Sequence, residues 1–192
     1  MRKATTALLA FATGLFSTGC ATGTGGTAVP AIDISSSLPF TPTISERVNG
    51  RNDGSTFEPC ISYSARELST LDIDPGSIKD AGFSDSPNFR GCAWTSPDRQ
   101  TRFHQILGDE VSLANYKRKQ SQLPWQPDRI ASGREIAVAP DSPDACVAAF
   151  MSQDAIVVTG VIVSTAKKPS PGLQEECDKA FAFASLAASK AP

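Results

Sequence analysis

Apolar and polar residues follow two different periods along this chain, and the order of these periods predicts the fold class. Apolar residues recur at helical spacing in three segments and alternate as in β-strands in five others. The order is helix, two strands, helix, three strands, helix. We therefore predict an α+β domain, with an antiparallel sheet of about five strands and helices packed mainly on one face. The predicted helices span about residues 61–71, 112–121 and 172–189, and the predicted strands span 89–95, 101–107, 130–138, 145–151 and 155–164.

The first and last helices carry the clearest local signals. Ser64 and Glu67 have the spacing of a capping box, in which each side chain binds the other residue's backbone N–H. In the last helix, Leu173, Cys177 and Ala184 fall on one apolar face. Both helices are therefore predicted to pack on the sheet through one side.

The N-terminal segment has the pattern of a secretory signal peptide. Arg2 and Lys3 precede an apolar run over residues 7–16, which is too short to span a bilayer. The following Ser17-Thr18-Gly19-Cys20 resembles a bacterial lipobox, although Ser17 stands where Leu is usual. We predict that residues 1–19 are a signal peptide and that Cys20 is lipidated on the outer face of the cell membrane. Ordinary secretion with a free Cys20 is the alternative.

Composition divides the rest of the chain into a tether and one domain. Residues 20–56 are rich in Gly, Ser, Thr and Pro without a sustained period, which predicts a flexible tether after the lipidated cysteine. The pattern of regular elements begins near Phe57, so residues 57–192 are predicted to form a single globular domain.

The charge balance excludes some classes of protein. The 192 residues contain 18 Lys and Arg against 20 Asp and Glu, a net charge of −2. Loss of Arg2 and Lys3 with the signal peptide would change this to −4, since (18 − 2) − 20 = −4. A basic nucleic-acid-binding protein is therefore excluded, and attachment to the membrane is expected to depend on the lipid.

Four cysteines remain once Cys20 is assigned to lipidation. An even number in an exported domain without a Cys-x-x-Cys pair favours two disulfides over a metal site. Three pairings are possible. We favour Cys60–Cys92 and Cys146–Cys177, because this sequential pairing joins each helix to its nearest strands.

Several of these motifs occur together in one known family. The lipobox-like start, the polar tether, Glu58-Pro59-Cys60, Gly91-Cys92-Ala93-Trp94 and Cys177-Asp178-Lys179-Ala180 resemble a family of actinobacterial secreted lipoproteins of unknown function. The resemblance covers about residues 57–190. It implies membrane anchoring and a disulfide-bonded α+β domain, but no reaction and no catalytic residues.

No catalytic set is evident in the sequence. His104 is the only histidine, so a Ser-His-Asp site would have to use it, and no G-x-S-x-G motif accompanies it. A mononuclear zinc site would lack ligands. A hydrolase that uses His104 with Asp109 or Glu110 is retained as an alternative. No metal and no cofactor are predicted, because the phosphate-loop and dinucleotide motifs are also missing.

One short segment combines basic and aromatic residues. We name Tyr116, Lys117, Arg118, Lys119 and Trp125 the lip, and we predict that it contacts an anionic glycan, a lipid headgroup or a protein. A solvated helix face followed by a proline-framed loop is the structural alternative. Trp94 shares strand parity with Cys92 and is predicted to pack in the core.

The sequence thus predicts a lipid-anchored protein of the cell envelope rather than an enzyme. We expect a non-catalytic binding or accessory module with an envelope lipid, glycan or protein partner and no nucleic-acid partner. A structural or scaffolding lipoprotein and the hydrolase are the alternatives.

Overall fold

A computed structural model describes residues 38–44, 46–81, 88–166 and 169–192. The predicted signal peptide, Cys20 and the first part of the predicted tether lie outside these residues. Within them, the chain forms three α-helices and seven strands. In chain order the elements are α1 Ala65–Thr70, β1 Lys79–Asp80, β2 Arg90–Thr95, β3 Thr101–Gly108, α2 Leu113–Lys119, β4 Arg129–Ala131, β5 Arg134–Ser142, β6 Ala145–Ser152, β7 Ala155–Val163 and α3 Leu173–Lys190.

The strands form one antiparallel sheet with the order β1-β2-β3-β7-β6-β5-β4. The predicted α+β class is confirmed, but the prediction of about five strands is wrong. The segment predicted as one strand over 130–138 is a hairpin, whose turn residues Ser132 and Gly133 have φ of 51° and 73°. Positive φ at both central residues is typical of a tight type I′ turn. The other additional strand, β1, is two residues long, too short for an alternating pattern to reveal.

The main core lies between the sheet and α3. Small residues on α3 (Ala180, Ala184 and Ala187) are fully buried, so the helix backbone can approach the strands closely. Phe183 fills the space beside Trp94, with ring centroids 5.5 Å apart in an edge-to-face arrangement. Trp94 is 1% exposed, as predicted for a core residue. Leu68 places α1 in the same core.

The opposite face of the sheet has a smaller core, which α2 covers at one end. Leu113 of α2 packs there against buried residues of β5, β6 and β7. Tyr116 and Trp125 pack at the margin of this core. The two ends of this face differ, since the end near the β2–β3 turn has no helix over it in the described part of the chain.

Two disulfides fasten elements to the sheet, as the sequence predicts. Cys60, ahead of α1, is bonded to Cys92 on β2, and Cys146 on β6 is bonded to Cys177 on α3. This is the sequential pairing favoured from the sequence. Each bond closes a loop, with sequence separations of 32 and 31 residues. In the chain-entropy description, each would contribute roughly 3–4 kcal/mol.

The packed part of the chain begins before Phe57, inside the segment predicted to be a flexible tether. Arg47, Asn52 and Ser55 are buried, at 5%, 0% and 3% exposure. The Ser55 hydroxyl shares a 2.7 Å hydrogen bond with Ser152 at the end of β6. Polar groups hold this segment to the domain, which explains why it shows no hydrophobic period.

Candidate functional site

A cleft lies at one edge of the sheet, where β1, β2 and the β2–β3 turn meet. Directly paired residues of antiparallel strands point to the same face. Lys79 pairs with Ala93, and Thr95 pairs with Arg102. These side chains therefore share the face opposite α3. The cleft has a volume of about 630 Å³ and is lined by Asp74, Gly76, Ser77, Ile78, Lys79, Asp80, Ala93, Trp94, Thr95, Arg99 and Arg102.

One wall of the cleft is the segment that precedes β1. Residues 75–77 form a single 3-10 turn, which begins where the Asp74 carboxylate accepts a hydrogen bond from the Gly76 N–H at 2.9 Å. The Asp74 N–H donates to the Thr95 carbonyl at 2.8 Å, and the Thr95 N–H donates to the Ser77 hydroxyl at 2.9 Å. Hydrogen bonds with Thr95 thus hold this wall to a part of β2 that the two-residue strand β1 does not reach.

The β2–β3 turn presents Arg99 at the cleft. The Asp98 carboxylate accepts hydrogen bonds from the Ser96 hydroxyl at 2.7 Å and from the Gln100 N–H at 2.9 Å. The Arg99 N–H donates to the Ser96 carbonyl at 2.8 Å, and Arg99 has a φ of 59°. These bonds hold the backbone at Arg99 in a conformation that most side chains avoid. The turn is therefore held in place by its own hydrogen bonds.

The cations of the cleft lack partners, whereas its carboxylates are engaged. Within the described residues, Lys79, Arg99 and Arg102 have no ion pair. Asp74 caps the 3-10 turn, and Asp80 accepts a hydrogen bond from the Thr43 N–H at 2.7 Å. Asp80 is also 3.7 Å from the Nε of Arg47. The cleft therefore combines unpaired positive charge with negative charge that is already bound.

A buried cluster of charged side chains lies behind the cleft and supports its strands. Glu58 lies between two guanidinium groups, 2.5 Å from Nη1 of Arg47 and 2.9 Å from Nη1 of Arg90. The three side chains are at most 4% exposed. Burial lowers the pKa of Arg90, and the charge of Glu58 opposes this effect. Arg90 also donates to three backbone carbonyls of the preceding segment, those of Asn52, Ser55 and Phe57. The cluster fixes residues 47–58 to β2.

The acidic and sulfur atoms of this cluster have the proximity of a metal site but not its chemistry. Ligand atoms of Glu58, Cys60 and Cys92 lie within 4.8 Å of one another. However, both cysteines are consumed by their disulfide, so neither supplies the thiolate that a metal needs. Nη2 of Arg47 donates to Sγ of Cys60 at 2.8 Å and occupies the same space with positive charge.

The predicted lip residues come together on α2 and the loop that follows it. The rings of Tyr116 and Trp125 meet edge to face at 5.9 Å, and Nζ of Lys117 lies 5.9 Å from the Trp125 ring centroid. The Trp125 indole N–H donates to the Gln120 carbonyl at 3.1 Å. Burial raises the pKa of Tyr116 to about 12. The aromatic residues therefore pack against each other and against the smaller core.

Each cation of the lip has a partner nearby. Lys117 forms a 2.7 Å ion pair with Asp128, Lys119 pairs with Glu110, and Arg118 hydrogen-bonds to Asn115. Burial raises the pKa of Asp128, but its hydrogen bonds with Lys117 and Glu135 lower it more, so the net shift is downward. The hydrogen bond between Asp128 and Glu135 raises the pKa of Glu135. The lip exists as a structural unit, but most of its charge is neutralised within the chain.

His104 lies on the sheet face shared by the cleft and the lip, with Gly160 opposite on β7. A Cβ at position 160 would come within 2.0 Å of the imidazole, so glycine leaves the space that the ring fills. Burial and, to a smaller degree, the charge of Arg102 lower the pKa of His104 to about 4, against the opposing effect of Asp141. The imidazole is therefore neutral at pH 7.

The residues of the hydrolase alternative are not assembled into a site. Asp109 follows His104 by five residues along β3, a separation of about 16 Å in an extended strand. The Glu110 carboxylate accepts from Asn115 and Lys119 in the lip. Neither acid is positioned to orient the imidazole as a catalytic base requires.

Comparison with known families agrees with the motifs seen in the sequence. Residues 15–190 match the family described as Protein of unknown function (DUF3558). The chain belongs to this family. The match includes Cys20, both disulfide pairs and all described elements of this DUF3558 protein. Neither the curated proteins nor the solved structures gave a match. The predicted membership of a family of unknown function is confirmed, and the family description names no ligand or reaction.

The cleft is not evident from the sequence, because its cations come from separate segments of the chain. Lys79 lies on the edge strand, Arg99 in a turn and Arg102 at the start of β3. The predicted strands over 89–95 and 101–107 flank Arg99, and the second begins just before Arg102, so these two residues could be placed near one hairpin turn. The missing information was β1, whose pairing brings Lys79 beside them.

Proposed function

We propose that this DUF3558 protein is anchored by a lipid on Cys20 to the outer face of the cell membrane and binds a ligand without catalysing a reaction. The observation that carries the binding role is the cleft with its unpaired cations. A volume of about 630 Å³ is within the range of small-molecule sites, which is roughly 300–1,000 Å³.

The location is supported by the sequence and by the two disulfides. Disulfides persist in oxidising compartments, so the bonded cysteines agree with export. The apolar run over residues 7–16 and Cys20 supply the pattern for signal cleavage and lipid attachment. Among the helices in the described residues, none is long and apolar enough to cross a membrane.

The anchor is tested by labelling cells with an alkyne analogue of palmitate. The full chain should acquire the label and sediment with membranes, whereas Cys20→Ala should acquire none. The label is the readout, because the apolar run over residues 7–16 of Cys20→Ala can itself insert in a membrane. Ser17→Ala is the matched control and should retain the label. Equal labelling of the full chain and Cys20→Ala, or no labelling of either, would refute the proposed anchor.

The binding role is tested by placing a photoreactive amino acid at single positions and irradiating whole cells. A residue at position 79 probes the cleft, and one at position 119 probes the lip. We expect a discrete adduct on the peptide around position 79 and none around position 119. An adduct at 119 alone would move the contact to the lip, and no adduct at either position would contradict the binding role.

A further inference from the structure

Most Lys and Arg side chains in the described residues have a hydrogen-bond or ion-pair partner, and the few that lack one lie mainly in one place. Across the described residues, ten of the 14 Lys and Arg side chains are hydrogen-bonded or ion-paired, whether buried like Arg90 or exposed like Lys190. The side chains with no such partner are Arg66, Lys79, Arg99 and Arg102. All of these except Arg66 line the cleft. Unpaired positive charge is therefore concentrated at one concave site.

We propose that the cleft binds the phosphate group of its ligand, with Arg99, Arg102 and Lys79 as the binding residues; this inference rests on the proposed binding function. A guanidinium presents a planar fork of donors that matches two phosphate oxygens, and an ammonium adds a compact charge. Two arginines and one lysine suit a dianionic phosphate monoester better than a single carboxylate.

The fold separates these cations from the nearest carboxylates. Lys79 and Asp80 are neighbours in sequence, but successive residues of a strand point to opposite faces. Lys79 shares the face of Ala93 and Arg102, whereas Asp80 is directed to Arg47 and Thr43. The cleft therefore keeps its positive charge although its lining contains as many acidic positions as it has arginines.

The backbone of the site is also formed in advance, so the ordering on binding is confined to the exposed cation side chains. The backbone of Arg102 is fixed by pairing on both sides, to Thr95 on β2 and to Ile162 on β7. Arg99 is held by the hydrogen-bonded turn described above. Because the cleft is much larger than a phosphate ion, it also has room for the organic part of a phosphate ester beside Ile78 and Ala93.

The test compares matched pairs of cations in the cleft and the lip. Inorganic phosphate binding is measured by calorimetry at low salt on the full chain carrying Cys20→Ala. In that background, Arg99→Gln combined with Arg102→Gln should weaken binding by about 100-fold or more, since each substitution removes a charge-assisted hydrogen bond to the phosphate. Arg118→Gln combined with Lys119→Gln removes the same charge from the lip and should change the affinity less than about twofold.

A second arm identifies the source of the phosphate. Vesicles of phosphatidylcholine, with and without phosphatidic acid, are sedimented with the same proteins. Retention that depends on phosphatidic acid and on Arg99 and Arg102 would assign the site to a lipid headgroup. Binding of free phosphate without such retention would assign it to a soluble phosphate ester. The vesicles without phosphatidic acid control for insertion of the apolar N-terminal run.

Two outcomes would overturn the inference. One is equal loss of phosphate binding in the cleft and lip variants, which would indicate an unspecific charge effect. The other is no phosphate binding by the parent protein while its urea midpoint shows that it is folded. In that case an adduct at position 79 in cells would still support the binding role, so the two proposals can fail separately.

Discussion

The cleft and the lip lie on the same face of the sheet and each has three cations, but they differ in how those charges are held. In the lip, Lys117, Arg118 and Lys119 are consecutive, and each has a partner within the described structure. In the cleft, the cations come from separate segments and have no ion pair among the described residues. The lip is conspicuous in the sequence, whereas the cleft carries the unpaired charge.

The physical reason lies in the secondary structure that carries each group. On α2 the basic residues occupy the last turn, where positive charge interacts favourably with the helix dipole, and Glu110 and Asp128 on flanking segments are within reach. On strands, alternation sends neighbouring residues to opposite faces, so Lys79 and Asp80 are separated. A run of basic residues in a sequence is therefore weak evidence for a site until its partners are known.

The largest expected effect concerns the buried cluster behind the cleft. Glu58→Gln leaves the guanidinium of Arg90 without a carboxylate and Arg47 with only its 3.7 Å contact to Asp80. Removal of one partner from a buried pair costs about 3–5 kcal/mol. Urea unfolding with the disulfides intact would measure the loss. Glu110→Gln, which removes the partner of Lys119 in the lip, is the matched control and should cost about 1 kcal/mol or less. Equal losses would show that the cluster does not support the cleft more firmly than surface pairs support the lip.

An intermediate effect is expected from His104, which lies between the two regions. Its pKa is about 4 in the folded protein, below the ordinary value of 6.5, so the unfolded chain binds the proton first as the pH falls. Stability conferred by the neutral imidazole is complete above pH 6.5 and is lost as the pH falls from 6.5 to 4. Between pH 7 and pH 4.5, the parent should lose about 2 kcal/mol more than His104→Gln.

This prediction is checked by urea unfolding of both proteins across that pH range. Parallel curves for the parent and His104→Gln would contradict it. Adding Arg102→Gln to the parent should make its curve less steep, because the positive charge of Arg102 contributes to the low pKa of His104.

The smallest effect is expected in the lip. Lys117→Met removes the ion pair with Asp128 but retains an apolar side chain beside Trp125, so unfolding free energy should fall by about 0.5 kcal/mol. Arg118→Met, whose side chain has no carboxylate partner in the described residues, is the control and should change less. A loss of unfolding free energy above about 2 kcal/mol for Lys117→Met would contradict this prediction, because it would approach the loss expected for the buried cluster behind the cleft.

Much of the fold follows from local pattern. The capping box at Ser64 and Glu67, the apolar face of α3 and the alternation of β2, β3, β6 and β7 are all visible along the chain. The Ser132-Gly133 turn is hard to see in the sequence because apolar residues flank it closely on both sides. The packed segment before Phe57 was assigned to the tether because polar hydrogen bonds, which have no period, hold it in place.

By itself the sequence determined the class of fold, the two disulfides and the family, because helix and strand periods, cysteine number and short motifs are local properties. Only the tertiary structure decided which charges are free. Pairing of the two-residue edge strand β1 places Lys79 in the same cleft as Arg99 and Arg102. Lys117, Arg118 and Lys119 instead bind side chains of the same protein. Whether a charge is available for a ligand depends on neighbours in space, and those neighbours are set by the packing of the whole sheet.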